Sequence, residues 1–318
     1  MSKRAKVACA GDLLVEFVAT ERNLRHRRAT TYAGPFPSGA AGIFIDQAAQ
    51  VGAQCLFVGA VGDDAFGDVV MDRLTAHGVD ARLIGRIAGV PTGTAFVSYD
   101  DDGARDFVYN IALSAAARFD AGPAALAALR DFRPDAFHVS GSALGDPTMA
   151  AKVLAICRSL REAGTAIAFD PNLRKELAGD PGYFTAVEEA LAMCSTFLPS
   201  ETDAEALFPG RSFEGMCADL FAKGVGTVVL KKGDEGCEGA TARGETARFD
   251  AHRVDALDPT GAGDCFCATF VALRAAGHSL AHAMERANAA GALAVGAIGP
   301  MEGNSSLERI ESFLATRA

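Results

Sequence analysis

Short apolar runs rich in β-branched residues alternate with longer helical stretches along most of this chain. That alternation is what most limits its fold. Lys6 to Ala10, Cys55 to Gly59, Ala136 to Ser140, Ala166 to Asp170, Thr196 to Pro199 and Thr227 to Lys231 read as strands. Between and after them Gly42 to Val51, Ala65 to His77, Pro147 to Ala163, Tyr183 to Met193, Phe213 to Lys223, Ala262 to Ala276 and Leu280 to Val295 read as helices. A helix between two strands carries the chain back across a sheet face, so the next strand runs parallel to the last. The expectation is an α/β fold of three layers, a mainly parallel sheet with helices on both faces. At 318 residues the chain suits one such domain over 1–318.

One region departs from the alternation. Thr92 to Tyr99 and Arg105 to Asn110 are strand-like runs joined by an acidic turn from Asp100 to Ala104 that contains Gly103, which is a hairpin signature. Thr30 to Tyr32 adds a further short strand. These pieces, from about 12–34 and 90–112, predict a small β-layer apart from the main sheet, either a lid over a ligand or an edge extension. The Ala-rich stretch from Ala115 to Leu129 reads as one helix.

Charge and composition narrow the function. The formal net charge of −10 repels a phosphate backbone, so nucleic acid is not the expected partner. The eight cysteines are scattered, with no paired Cys-x-x-Cys set, which argues for reduced core residues rather than zinc ligands. The apolar run after Lys3, Arg4 and Lys6 is broken at Gly11 and Asp12, too short for a signal peptide or a membrane span. The cytoplasm is the expected location, and no membrane partner is expected.

The most informative segment is Asp258-Pro259-Thr260-Gly261-Ala262-Gly263-Asp264, followed by Cys265-Phe266. Pro259 is expected to stop a preceding strand. Gly261 and Gly263 allow a tight turn and close approach to a ligand. An apolar helix begins at once, and its first amides and dipole together make an anion site. Asp264 in that first turn is either a dipole-stabilising acid or a group with a task. Beside a phosphate, the natural task is to accept the proton of an attacking hydroxyl.

This segment resembles the signature of the ribokinase-like, or pfkB-type, sugar kinases. The resemblance implies the ribokinase-like fold, ATP and Mg2+ as cofactors, an anion hole formed by Gly261, Ala262 and Gly263, and Asp264 as catalytic base. It extends over nearly the whole chain. Gly11 to Glu16 is similar to the family's first-strand segment, which makes Asp12 and Glu16 candidates for contacts with sugar hydroxyls. Ser38 to Gly52 with Val58 to Gly67 resembles the family's first signature. Ser38 replaces its usual first glycine and Ile43 its usual asparagine, while Gly39 is retained as a substrate contact.

Phe169-Asp170-Pro171-Asn172-Leu173-Arg174 resembles a segment common in fructokinases and in kinases of 2-keto-3-deoxygluconate, and it makes Arg174 a candidate contact for substrate or phosphate. Tyr109 resembles a lid residue of the same kinases. Where many of them carry an arginine two residues later, this chain has Ile111, which favours a neutral sugar over a keto acid. Asp203 stands where relatives have an acid linked to magnesium, although Asp or Ser at a helix start is also an ordinary cap. Lys231, Gly233 and Gly236 match the phosphate-side turn, and Asn288 the adenine-side helix. Some relatives hold a monovalent cation near the segment of Asp258. The lid is a candidate surface for a homodimer.

The reading that follows is an ATP-dependent sugar kinase acting on a primary hydroxyl of a ketohexose of the fructose or tagatose type. 2-Keto-3-deoxygluconate is the second substrate and a nucleoside the third. Two other classes compete. A NAD-dependent oxidoreductase needs a Gly-x-Gly-x-x-Gly turn after the first strand, but Gly11 is followed by Asp12 and Leu13. A sugar-binding regulator on a retired kinase scaffold would have lost the base, but Asp264 and its glycines are intact.

Overall fold

The computed structural model describes residues 4–101, 104–173, 177 and 179–317. Its strands are β1 (Lys6–Ala10), β2 (Leu14–Ala19), β3 (Tyr32–Ser38), β4 (Gln54–Gly62), β5 (Val79–Ile87), β6 (Gly93–Tyr99), β7 (Arg105–Asn110), β8 (Ala136–Ser140), β9 (Ala166–Asp170), β10 (Thr196–Phe197), β11 (Thr227–Lys231), β12 (Cys237–Thr241) and β13 (Thr246–Phe249). Nine form one sheet in the order β13-β12-β11-β10-β9-β8-β1-β4-β5. From β11 to β5 all neighbours are parallel, and β12 and β13 are added antiparallel at one edge.

The central strands are mostly apolar and buried almost throughout because both of their faces are covered. Val7 and Cys9 of β1, with Cys55 and Phe57 of β4, point into a core under the helices Ala40–Gln50, Ala262–Ala275 and Leu280–Ala294. Ala8 and Ala10, with Leu56 and Val58, point into the opposite core, under the helices Pro147–Glu162 and Pro181–Met193. The period-2 side-chain alternation of each strand thus fills two cores at once. Each large side chain buried this way stabilises the fold by about 1.5–3 kcal/mol. Among the described residues all eight cysteines are free and buried, and no helix is long and apolar enough to cross a membrane.

The remaining four strands form a separate sheet in the order β3-β2-β6-β7. β2 and β6 are parallel, and β3 and β7 flank them antiparallel. One face of this sheet leans on the domain through Phe17, which packs edge-on against Phe66 at 5.5 Å. The short strand expected at Thr30 to Tyr32 is instead β3, which starts at Tyr32 and runs to Ser38. Pro35 and Pro37 disguise it in the sequence, but β3 is an edge strand, where a missing N–H donor is tolerated.

Two expectations are corrected. The stretch from Ala115 to Leu129 is not one helix. A 3-10 turn at Ala115–Arg118 is followed by a break, and a helix runs from Pro123 to Phe132. The Asp120 carboxylate accepts from the Gly122 N–H at 2.8 Å, and Pro123 can only begin a helix, so local turn chemistry overrides alanine propensity. Pro259 does not stop a strand either. β13 ends at Phe249, and the chain reaches Pro259 as an irregular segment. There the Leu257 and Asp258 N–H groups both donate to the carbonyl of Val295, beyond a helix end, rather than to a neighbouring strand.

Candidate active site

The segment from Thr260 to Asp264 is held from beneath by Asp258. Its carboxylate is buried, with Oδ1 accepting from the Thr260 N–H at 2.9 Å and Oδ2 from the Gly299 N–H at 3.0 Å. Gly261 is the N-cap of the helix Ala262–Ala275, with φ of 84°. A β-carbon there would lie 2.5 Å from the carbonyl oxygen of Pro300, so both backbone and space require glycine. The helix ladder begins with Cys265 N donating to Gly261 O at 2.8 Å, which leaves the first-turn amides of Ala262 and Gly263 outside it. Asp264 follows in the same turn, nearly buried, and lines a cleft.

That cleft measures about 530 Å³ and is floored by the main sheet and walled by the small one. Asp12 follows β1 and Glu16 lies on β2. Both are buried, both line the cleft, and the Ser38 hydroxyl donates to Glu16 at 3.3 Å. The residue in place of a first glycine thus orients an acid. Gly39 has φ of 103°, and a β-carbon there would lie 2.3 Å from the Asp12 carbonyl oxygen. Ile43, in the usual asparagine position, also lines the cleft. Arg174 lies outside the described residues. Its neighbours Asn172 and Leu173 are at the cleft edge.

The small sheet adds a wall that the sequence reading only partly found. Arg105, Phe107 and Tyr109 alternate along β7 and all face the cleft. The Phe107 and Tyr109 rings stack at 5.2 Å and 9°, and the Arg105 guanidinium stands 5.8 Å from the centre of Phe107. Ile111 lies past the end of β7 and packs against the main core instead. The described basic residue that the small sheet turns to the cleft is therefore Arg105. Strand alternation counted from Tyr109 was the signal that could have found it.

A second cleft, of about 1080 Å³, opens on the other side of the same helix start. It is lined by Lys231, Gly233, Gly236, Gly263 and Asn288. Gly233 and Gly236 have φ of 55° and 99°, and at Gly236 a β-carbon would lie 2.0 Å from the Phe249 carbonyl oxygen. Asn288 donates from Nδ2 to the carbonyl of Asp250 at 2.8 Å and so fixes the far wall. His252 and Arg253 lie on that wall and were not anticipated.

The two clefts share Lys231, Gly233, Pro259 and Gly263. The Lys231 ammonium donates to Asp170 and lies 3.4 Å from Cys267 Sγ. Burial is the largest single influence on the Lys231 pKa and works to lower it, but the charge and hydrogen bond of Asp170 together with nearby Cys267 and Asp203 outweigh it and the net shift is upward, so the site keeps its cation. Asp203 is also at the floor of the first cleft, with both oxygens engaged. Oδ1 accepts from the Leu173 N–H at 2.9 Å, while Oδ2 accepts from the Ser200 N–H at 2.8 Å and the Ser200 hydroxyl at 2.7 Å in a capping box.

This geometry sets a carboxylate toward one cleft, and an anion-seeking helix start and an ammonium between the two. It suits transfer of an anionic group from a ligand on one side to a nucleophile on the other. Known proteins agree. The chain is 29% identical over 317 residues to 2-dehydro-3-deoxygluconokinase of Bacillus subtilis, covering 96% of this chain and 94% of that protein. It is 30% identical over 277 residues to a fructokinase of Klebsiella pneumoniae, covering 83% of this chain and 87% of that one. A candidate ribokinase II from E. coli, crystallised with ATP and Mg2+, superposes with a TM-score of 0.90 at 37% identity, covering 98% of this chain and 99% of that one. The sequence model of the pfkB family carbohydrate kinases matches residues 4–307, and this chain is an enzyme that belongs to that family.

Proposed function

We propose that this kinase transfers the γ-phosphate of ATP to a primary hydroxyl of a neutral ketohexose of the fructose or tagatose type. The observation that carries the reading is that two clefts meet at one helix start, with Asp264 lining the smaller cleft and Gly263 lining both.

In this reading the sugar lies against Gly39 with its hydroxyls toward Asp12 and Glu16, and the aromatic pair Phe107 and Tyr109 covers it. Arg174 is a further candidate contact for substrate or phosphate. The reacting hydroxyl donates to Asp264, which takes its proton as the oxygen attacks. The amides of the Gly261 to Gly263 turn and the Lys231 ammonium stabilise charge on the transferring group. The nucleotide lies in the larger cleft, with its phosphates toward Gly233 and Gly236 and its base toward Asn288. Mg2+, when bound, would neutralise those phosphates and would be held largely by phosphate and water, and Asp203, whose two oxygens already accept hydrogen bonds, would meet it only through an ordered water. The small sheet acts as a lid and keeps bulk water from the transferring group.

Two buried acids at the sugar end favour hydroxyls, which can donate to them, over a carboxylate, which they repel. A second reading, a 2-keto-3-deoxygluconate kinase, is favoured by Arg105, whose guanidinium lines the same cleft and suits a carboxylate. Steady-state kinetics on fructose, tagatose and 2-keto-3-deoxygluconate, coupled to ADP formation, decide between them. The first reading predicts the higher kcat/KM for a ketohexose, with Arg105→Ala leaving it within about threefold because the pair is not made. A clear preference for the keto acid, lost in Arg105→Ala, establishes the second.

A further inference from the structure

Tyr99 ends strand β6 of the small sheet, in register with Arg105 on β7. Its ring is buried with Val18 and Val97 on the sheet face that carries Phe107, opposite the face of Phe17. Its hydroxyl leaves that apolar cluster and donates to Asp258 Oδ1, 159 residues away in sequence. It also lies 3.0 Å from the Thr260 hydroxyl. Asp258 is the residue whose carboxylate sets the backbone at Thr260 and at Gly299, and Gly261 follows directly. Both of these hydrogen bonds of the Tyr99 hydroxyl are thus with the loop that shapes the helix start. Burial first, and then the Asp258 carboxylate, push the Tyr99 pKa upward, so the hydroxyl remains a donor at neutral pH.

We propose that Tyr99 is a positioning residue for phosphoryl transfer, tying the small sheet to the anion-binding turn through Asp258 and Thr260. The proposal rests on the kinase reading above and adds a requirement to it. The turn amides stabilise the transferring group only if they point at it, and an error of about an ångström in such a group costs up to roughly a hundredfold in rate. Tyr99 touches neither cleft, so it acts on the orientation of the turn and not on ligand contacts. Because it belongs to the small sheet, the turn is best aligned when that sheet is seated over the sugar.

Tyr99→Phe removes the hydroxyl and keeps the ring. Asp258 Oδ1 retains the Thr260 N–H, so the variant folds. The expected result is a fall in kcat of roughly tenfold to a hundredfold, with KM for sugar and for ATP within about threefold of wild type. Val97→Ala, in the same buried cluster, is the control for loosened packing. It is expected to lower Tm while keeping kcat. A Tyr99→Phe enzyme with kcat within about twofold of wild type overturns the proposal, and so does a Val97→Ala enzyme that loses as much kcat. A wild-type enzyme that phosphorylates no sugar overturns the kinase reading itself, before either variant is made.

Discussion

The ammonium of Lys231 donates to the carboxylate of Asp170, although the two residues stand on β11 and β9 with β10 between them. β10 is only two residues long, which lets the pair close across it. The ion pair is buried, and it holds a cation at the wall common to both clefts. Lys231→Met leaves Asp170 buried without its partner, which typically costs about 3–5 kcal/mol. Adding Asp170→Asn removes the uncompensated charge. Urea denaturation should show most of the lost stability restored in the double variant, whereas kcat should stay low, since no cation faces the transferring group. A double variant with wild-type turnover would show that Lys231 is only structural.

The two glycines of the turn should fail in different ways. At Gly261 an alanine must adopt a positive φ and meet the Pro300 carbonyl, so Gly261→Ala should lose about 1–3 kcal/mol of stability. At Gly263 the backbone is helical and an added β-carbon meets only Lys231 Nζ, at an ordinary 3.6 Å. Gly263→Ala should therefore keep or slightly raise Tm, while its methyl group and the bulkier Gly263→Val obstruct the ligand and collapse activity. Thermal melts beside turnover numbers check this. Full activity in Gly263→Val would place the phosphate elsewhere.

His138 offers a pH test away from the site. It is buried in β8, stacked at 3.8 Å on Phe44, and neither ring nitrogen has a hydrogen-bond partner among the described residues. Burial, with a smaller effect from Lys231, lowers its pKa to about 3. The unfolded chain takes up this proton near the ordinary histidine value of about 6.5 and the folded chain does not, so stability falls as pH drops below that value. The slope from this residue approaches about 1.4 kcal/mol per pH unit well below pH 6.5, which amounts to about 1.6 kcal/mol between pH 6.5 and 5. The stability difference between wild type and His138→Phe, from urea unfolding, should change by this amount across that range. Parallel curves would mean that the buried imidazole is protonated in the fold.

The main sheet was legible in the sequence because β1, β8, β9 and β11 are mostly apolar runs, and their bounds were read as observed. β5, β12 and β13 were not read. β5 and β13 are the edge strands and are partly exposed, β12 is the buried strand beside β13, and their patterns mix Asp, Arg, Glu and Gly with apolar residues. The turn from Gly261 to Asp264 was legible because glycine and acid at a helix start carry their own chemistry. Asp170 and Tyr99 were not, because each works through a partner more than sixty positions away, Lys231 and Asp258, and spacing along the chain carries no trace of such a pair.

The central claim is that Asp264 is the base of a sugar kinase, and Asp264→Asn tests it most directly. The substitution keeps size and removes the proton acceptor. Turnover with the preferred sugar, measured beside calorimetric ATP binding, is predicted to fall by about 10²–10⁴-fold while ATP affinity is largely kept. Turnover within a few-fold of wild type would contradict the account.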